Sequence, residues 1–163
     1  MPKVLTEAQI EAFHRDGAIS PIQILSADAA AECLRRFDEL EASLDGEVQS
    51  RYRIKAHLPF PWLTELIHHP VLLDAVEDLV GPDILIWGSS FFTKPALDPR
   101  FVSWHQDSTY YGLEPPESIT AWLAFSPSTG EAGCLKFIPG SHKGPAILPH
   151  TETDDPNNIL SRG

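Results

Sequence analysis

The chain has 163 residues, of which 12 are Lys or Arg and 23 are Asp or Glu, and its net charge is −11. That length predicts one domain able to bury a core. The acidic balance disfavours non-specific binding to nucleic acid and a polybasic membrane footprint, both of which need Lys and Arg.

No run approaches the roughly 20 apolar residues of a membrane span. The start, Met1-Pro-Lys-Val-Leu, lacks the apolar stretch of a signal peptide, so a cytoplasmic location is the default expectation. Cys33 and Cys134 read as free thiols inside regular elements and not as a disulfide framework.

In chain order, Thr6-Glu-Ala-Gln9 has the form of a capping box. Ile10 and Phe13 then mark a short amphipathic helix that stops at Asp16-Gly17. Residues 18–25 read as extended, with Pro21 confining them to an edge or irregular strand. Ser26 can cap a second helix. Its apolar face is Ala30, Cys33, Leu34, Phe37, Leu40 and Leu44, at the spacing of one helical stripe, and Gly46 marks its stop. Residues 47–61 show no period. Arg51, Arg53 and Lys55 give local positive charge there, which on its own reads as surface salt-bridging. Residues 62–67 make a helical turn or two. Pro70 suits the first position of a further helix, with Val71, Leu72, Ala75, Val76 and Leu79 as its buried stripe and Gly81 at its end. His57 reads as structural. His68 and His69 are adjacent, and adjacent helical residues do not face one another, so they read as surface or cap residues.

Residues 83–94, 101–105, 118–125 and 134–138 are rich in aromatic and β-branched residues and read as strands. Turn signals separate them, ending in Pro139-Gly-Ser-His-Lys143. Strands in this arrangement predict a small antiparallel barrel or sandwich, whose mouth can hold a ligand. Residues 110–116 form a loop at the rim, and residues 144–163 read as a loop leading to a further strand. On a strand, residues i and i+2 project to one side, so His105 and Asp107 share one space. Imidazole plus carboxylate with open positions makes two parts of the 2-His-1-carboxylate face of non-haem Fe(II) oxygenases. A lone His-x-Asp is common as a surface pair; the strands around this one are what raise its weight.

The run "WHQDSTYYGLEPPESITAWLAFSPSTGEAGCLKFIPGSHK", with "LIWGSSFFTKP" before it and "NNILSRG" after it, resembles the phytanoyl-CoA dioxygenase family. The resemblance implies an α+β, mainly β fold in one oxygenase domain, residues 1–163. Residues 1–82 would be mainly helical and packed on a double-stranded β-helix, a jelly-roll or cupin-like barrel, whose first strands lie in residues 83–163. It implies Fe(II), 2-oxoglutarate as co-substrate and O2, used to hydroxylate a small-molecule substrate.

Carried over by residue, the resemblance makes His105 and Asp107 the first two iron ligands. Gln106 would contact 2-oxoglutarate, and Trp122 would line the same pocket. Ser90 would make a further co-substrate contact, and Lys55 would lie near the oxoglutarate carboxylates. On a regular strand Gln106 would face away from the iron, so the resemblance implies that the strand ends or bends near His105. In halogenases similar to this family a small residue replaces the carboxylate, so Asp107 points to hydroxylation. The family's second His ligand and its oxoglutarate-binding Arg belong to later strands, and His142, His150 and Arg162 do not match them. The expectation is the N-terminal part of a family member, weak or inactive alone, with a barrel incomplete at its C-terminal end. Two other readings stay open. One is a cupin-type metal oxygenase that does not use 2-oxoglutarate; the other is a non-catalytic or metal-binding jelly-roll module.

Overall fold

The computed structural model describes residues 1–44, 48–144 and 147–163. Its helices are α1 (Glu7–Asp16), α2 (Ala27–Ser43), α3 (Val48–Arg51), α4 (Pro61–Ile67), α5 (Pro70–Val80) and α6 (Ser108–Tyr111), followed by a 3-10 turn at Ser141–Lys143.

The helix starts follow their caps. The Gln9 N–H donates to Thr6 Oγ1 at 3.2 Å, and the Thr6 N–H donates to the Gln9 side-chain oxygen at 2.8 Å, which closes the capping box on α1. Gly17 ends α1 at φ 86°, and a Cβ there would clash with the His142 ring at Nδ1. Left-handed backbone and close packing both call for glycine at this point. Ser26 Oγ accepts from the Ala29 N–H at 3.1 Å and starts α2. The expected stop of α2 at Gly46 lies outside the described residues. Helices α4 and α5 each open on a proline, with His68 at the end of α4 and His69 as the residue preceding α5. The unpredicted α3 is too short to show a period, yet its Val48 is fully buried.

One core cluster joins Phe37 of α2, Val48 of α3, Leu63 and Leu66 of α4, Ala56 and Phe91. Cys33, Leu34, Leu40 and Leu44, the expected α2 stripe, pack around it, as do Leu123 and Phe125. Phe37 and Phe91 meet at 5.1 Å between ring centroids. Both cysteines are free and half-buried, and burial pushes the Cys33 thiol pKa up. The N-terminal stretch is pinned to α5, because Asp78 accepts backbone N–H bonds from Lys3, Val4 and Leu5, each at 2.8 Å.

Among the described residues, segments 83–94, 118–125 and 134–138 carry no strand ladder. Burial nonetheless alternates along parts of the first two: Ile84, Ile86 and Gly88 are half-buried between exposed Leu85 and Trp87, and Leu123 and Phe125 alternate with exposed Trp122 and Ala124, whereas residues 135–138 are all exposed. That is the period of a strand with one covered face. The isolated bridges are parallel at Phe101 and Asn158 and antiparallel at Glu152 and Arg162. The tail is therefore more than a connecting loop. The Phe101 N–H donates to Asn157 O at 2.8 Å, and the Ile159 N–H donates to Phe101 O at 2.9 Å. Residues 157–159 thus brace the stretch that carries His105.

Candidate functional site

The chain bends at Trp104 and enters α6 at Ser108, so His105, Gln106 and Asp107 occupy the corner between an irregular stretch and a helix. The corner is held from behind. The Asn158 side chain donates to Ser103 Oγ at 3.0 Å. The Gln106 N–H donates to His150 Nε2 at 2.9 Å, while His150 Nδ1 donates to Leu148 O at 2.7 Å. Those two contacts make Nε2 of His150 the acceptor and Nδ1 the donor.

His105 and Asp107 are brought together. His105 Nε2 lies 3.1 Å from Asp107 Oδ1. The other ring nitrogen, Nδ1, donates to Ser103 O at 2.8 Å. The other carboxylate oxygen, Oδ2, accepts from Thr120 Oγ1 at 2.9 Å. One atom of each group is therefore anchored, and the remaining atoms, Nε2 and Oδ1, converge on one point. This donor set fits a divalent cation: a neutral imidazole ligates through one nitrogen when the other is tied to a carbonyl. Asp107 precedes α6 in the cap position but makes no capping bond, so its carboxylate is committed to His105 and Thr120.

The electrostatics follow from the contact. The Asp107 bond holds the His105 pKa above its ordinary value, against burial, with Ser103 O assisting. The His105 bond in turn holds Asp107 below its ordinary value; burial opposes this, and the hydroxyls of Thr120 and Tyr111 add to it. Tyr111 is raised, by burial first and then by the Asp107 charge. Its ring lies against Trp87 at 4.4 Å between centroids. Tyr110 meets His105 edge-on at 6.0 Å, and the Arg162 guanidinium lies 5.2 Å over the same Tyr110 ring.

The other expected residues lie as follows. The Gln106 side-chain oxygen accepts from the Leu148 N–H at 2.6 Å, so its amide is turned to the tail. Trp122 packs on Phe92 at 5.7 Å, two residues beyond Thr120. Lys55 and Ser90 are exposed, and among the described residues no hydrogen bond or ion pair joins either to His105 or Asp107. It is the neighbouring Ser89 whose hydroxyl engages His57, at 2.7 Å from Nδ1. His142 sits against the end of α1, 3.2 Å from His14 O. Among the described residues no three His, Cys, Asp or Glu side chains gather as a metal site, and no helix is long and apolar enough to cross a membrane.

Sequence reasoning missed Thr120, Tyr111, His150 and Asn158. Thr120 had a signal: on a strand it shares its side with Trp122. His150 and Asn158 act from more than forty positions away, and no local pattern carries that.

Comparison with known proteins adds the following. The family model of phytanoyl-CoA dioxygenase (PhyH) matches residues 13–159. A probable phytanoyl-CoA dioxygenase of Caenorhabditis elegans is 33% identical over 113 residues, 65% of this chain and 36% of that protein. The peroxisomal phytanoyl-CoA dioxygenase of Bos taurus is 36% identical over 85 residues, 50% of this chain and 25% of that protein. The ectoine dioxygenase of Bordetella parapertussis is 22% identical over 156 residues, 85% of this chain and 50% of that protein. The chain thus spans between a quarter and a half of these curated relatives. No solved structure matches it significantly.

Proposed function

The chain belongs to the phytanoyl-CoA dioxygenase family, and from that premise we propose that its protein is a non-haem Fe(II)- and 2-oxoglutarate-dependent dioxygenase that hydroxylates a small-molecule C–H bond. The observation that carries this reading is the convergence of His105 Nε2 and Asp107 Oδ1 at 3.1 Å, with the second polar atom of each group already held.

In this reading His105 binds iron through Nε2 and Asp107 binds it through Oδ1. A second His, matched by no residue of the corner, completes the iron-binding face. When bound, Fe(II) with 2-oxoglutarate and O2 supplies the oxidising power, and the protein supplies binding, orientation and exclusion of side reactions. Ser103 O holds the imidazole in the ligating tautomer. Gln106, Trp122, Lys55 and Ser90 stand as the proposed co-substrate residues, of which Gln106 and Trp122 lie on the segments that carry Asp107 and its partner Thr120. Trp87 and Tyr111 form an aromatic wall beside Asp107 that suits an apolar part of the substrate. The scaffold proposed is a double-stranded β-helix with helices α1 to α5 against it. Relatives named for phytanoyl-CoA and for ectoine differ so much in substrate that the family sets the reaction and the pocket sets the substrate. A cytoplasmic location belongs to the same proposal, although the Bos taurus relative is named peroxisomal.

The test is succinate release from 2-oxoglutarate by the native full-length protein supplied with Fe(II). Release is expected to depend on added iron and to vanish in His105→Ala and in Asp107→Ala. Release that is indifferent to both substitutions sinks the reading.

A further inference from the structure

Asp107 has two oxygens, and a carboxylate free to turn can offer one or both to a cation. Here the two are not equivalent. Oδ1 faces His105 Nε2 at 3.1 Å, while Oδ2 accepts from Thr120 Oγ1 at 2.9 Å. Thr120 comes from a different segment, 13 residues downstream, so its hydroxyl ties Asp107 to the stretch that also carries Trp122. Asp107 itself stands at the head of a four-residue helix with no capping bond to steady it. Without Thr120 the carboxylate loses the 2.9 Å hydroxyl contact on Oδ2.

We propose that Thr120 is a positioning residue whose hydroxyl, by occupying Asp107 Oδ2, commits Asp107 to bind the metal through Oδ1 alone. The inference rests on the oxygenase reading and deepens it. A one-oxygen carboxylate uses a single coordination position and leaves the others for co-substrate and O2. Orienting bonds of this kind to a ligating group are generally worth about 10- to 100-fold in metal affinity. The Tyr111 phenol bears on both Asp107 and Thr120 while its ring lies against Trp87, so it belongs to the same hold on the carboxylate.

The experiment is a titration of the metal-free, full-length protein with Co(II), followed by visible absorption. The variants are Thr120→Val, which keeps shape and strand preference but lacks the hydroxyl, Thr120→Ser, which keeps the hydroxyl, and Asp107→Ala. The expected result is Co(II) binding by the wild type, a loss of about 10-fold or more in Thr120→Val, and recovery in Thr120→Ser. Equal affinity in wild type and Thr120→Val overturns the inference. So does a Thr120→Ser variant as weak as Thr120→Val, because shape and not the hydroxyl would then matter. A wild type that takes up no Co(II), or that binds it as well without Asp107, overturns the oxygenase reading and the inference with it. Circular dichroism of each variant separates a lost fold from a lost bond.

Discussion

His105 and Asp107 share one proton's worth of space, and a metal bound in the proposed way would compete for it. The imidazole pKa is raised above 6.5 by its bond to Asp107. Its contribution to the stability of the metal-free protein is therefore complete below 6.5 and is lost as pH climbs through the folded value. The Asp107 pKa is lowered below 3.8, so its contribution is present above 3.8 and is lost as pH falls through the folded value. In metal-free thermal melts, the advantage of wild type over His105→Asn is expected to be greatest between these limits and to shrink on the alkaline side. Divalent metal affinity should move the opposite way, rising as His105 sheds its proton. An advantage that grows with pH above neutrality contradicts this account of the pair. The pairing of His105 with Asp107 was legible because chemistry and spacing coincide in His-x-Asp. Gln106 was half legible: the bend it required is there at Trp104, but its amide engages Leu148, a partner 42 residues away that no motif announces.

Helices were read from caps and periods, and both signals are local. Thr6 and Gln9 lie three residues apart and make their bonds within one turn. Replacing Thr6 by Ala is expected to destabilise α1 by about 1 kcal/mol, measured by urea denaturation, with exchange of the α1 amides quickening first. The α2 stripe was legible for the same reason, and Phe37 is the member that reaches the core, 8% exposed and against Phe91. Phe37→Ala leaves a cavity that the surrounding helices cannot close and is expected to cost about 3–5 kcal/mol; a loss under about 1 kcal/mol would mean the site collapses freely. The helices α3 and α6 escaped because four residues show no period. Each is held by tertiary contacts instead, α3 by buried Val48 and α6 by bonds from the tail such as the Arg162 guanidinium to Thr109 O at 2.9 Å.

At the scale of the molecule two features pull in different directions. The net charge of −11 repels itself, so melting temperature is expected to rise when salt is raised from about 0.01 M to about 0.15 M and the screening length falls from about 30 Å to about 8 Å. A falling melting temperature would mean that exposed pairs such as Arg35 with Glu32 outweigh the repulsion. The second feature bears on the fold itself. Phe91 points into the core and Phe92 away from it, at 7% and 49% exposure. Leu123 and Phe125 pack on that same core, while Trp122 turns outward to meet Phe92 at 5.7 Å. Inward residues thus adjoin inward residues, and outward adjoin outward, across two segments some thirty positions apart. Neighbouring strands of one sheet do this, and this alternation supports the proposed double-stranded β-helix, in which 91–93 and 121–125 would lie as neighbours; among the described residues no backbone hydrogen bond joins the two segments, and the Thr93 N–H donates to Gln49 Oε1 at 3.1 Å. Paired strands bury their amides in mutual hydrogen bonds, and such amides exchange slowly. In the native full-length protein, hydrogen exchange at 91–93 and 121–125 is expected to be slow, close to that of the α2 amides around Phe37. Exchange as fast as in an exposed loop at both segments would leave the side-chain alternation without a ladder behind it, and the barrel would have to be abandoned while the His105–Asp107 corner stood unaffected.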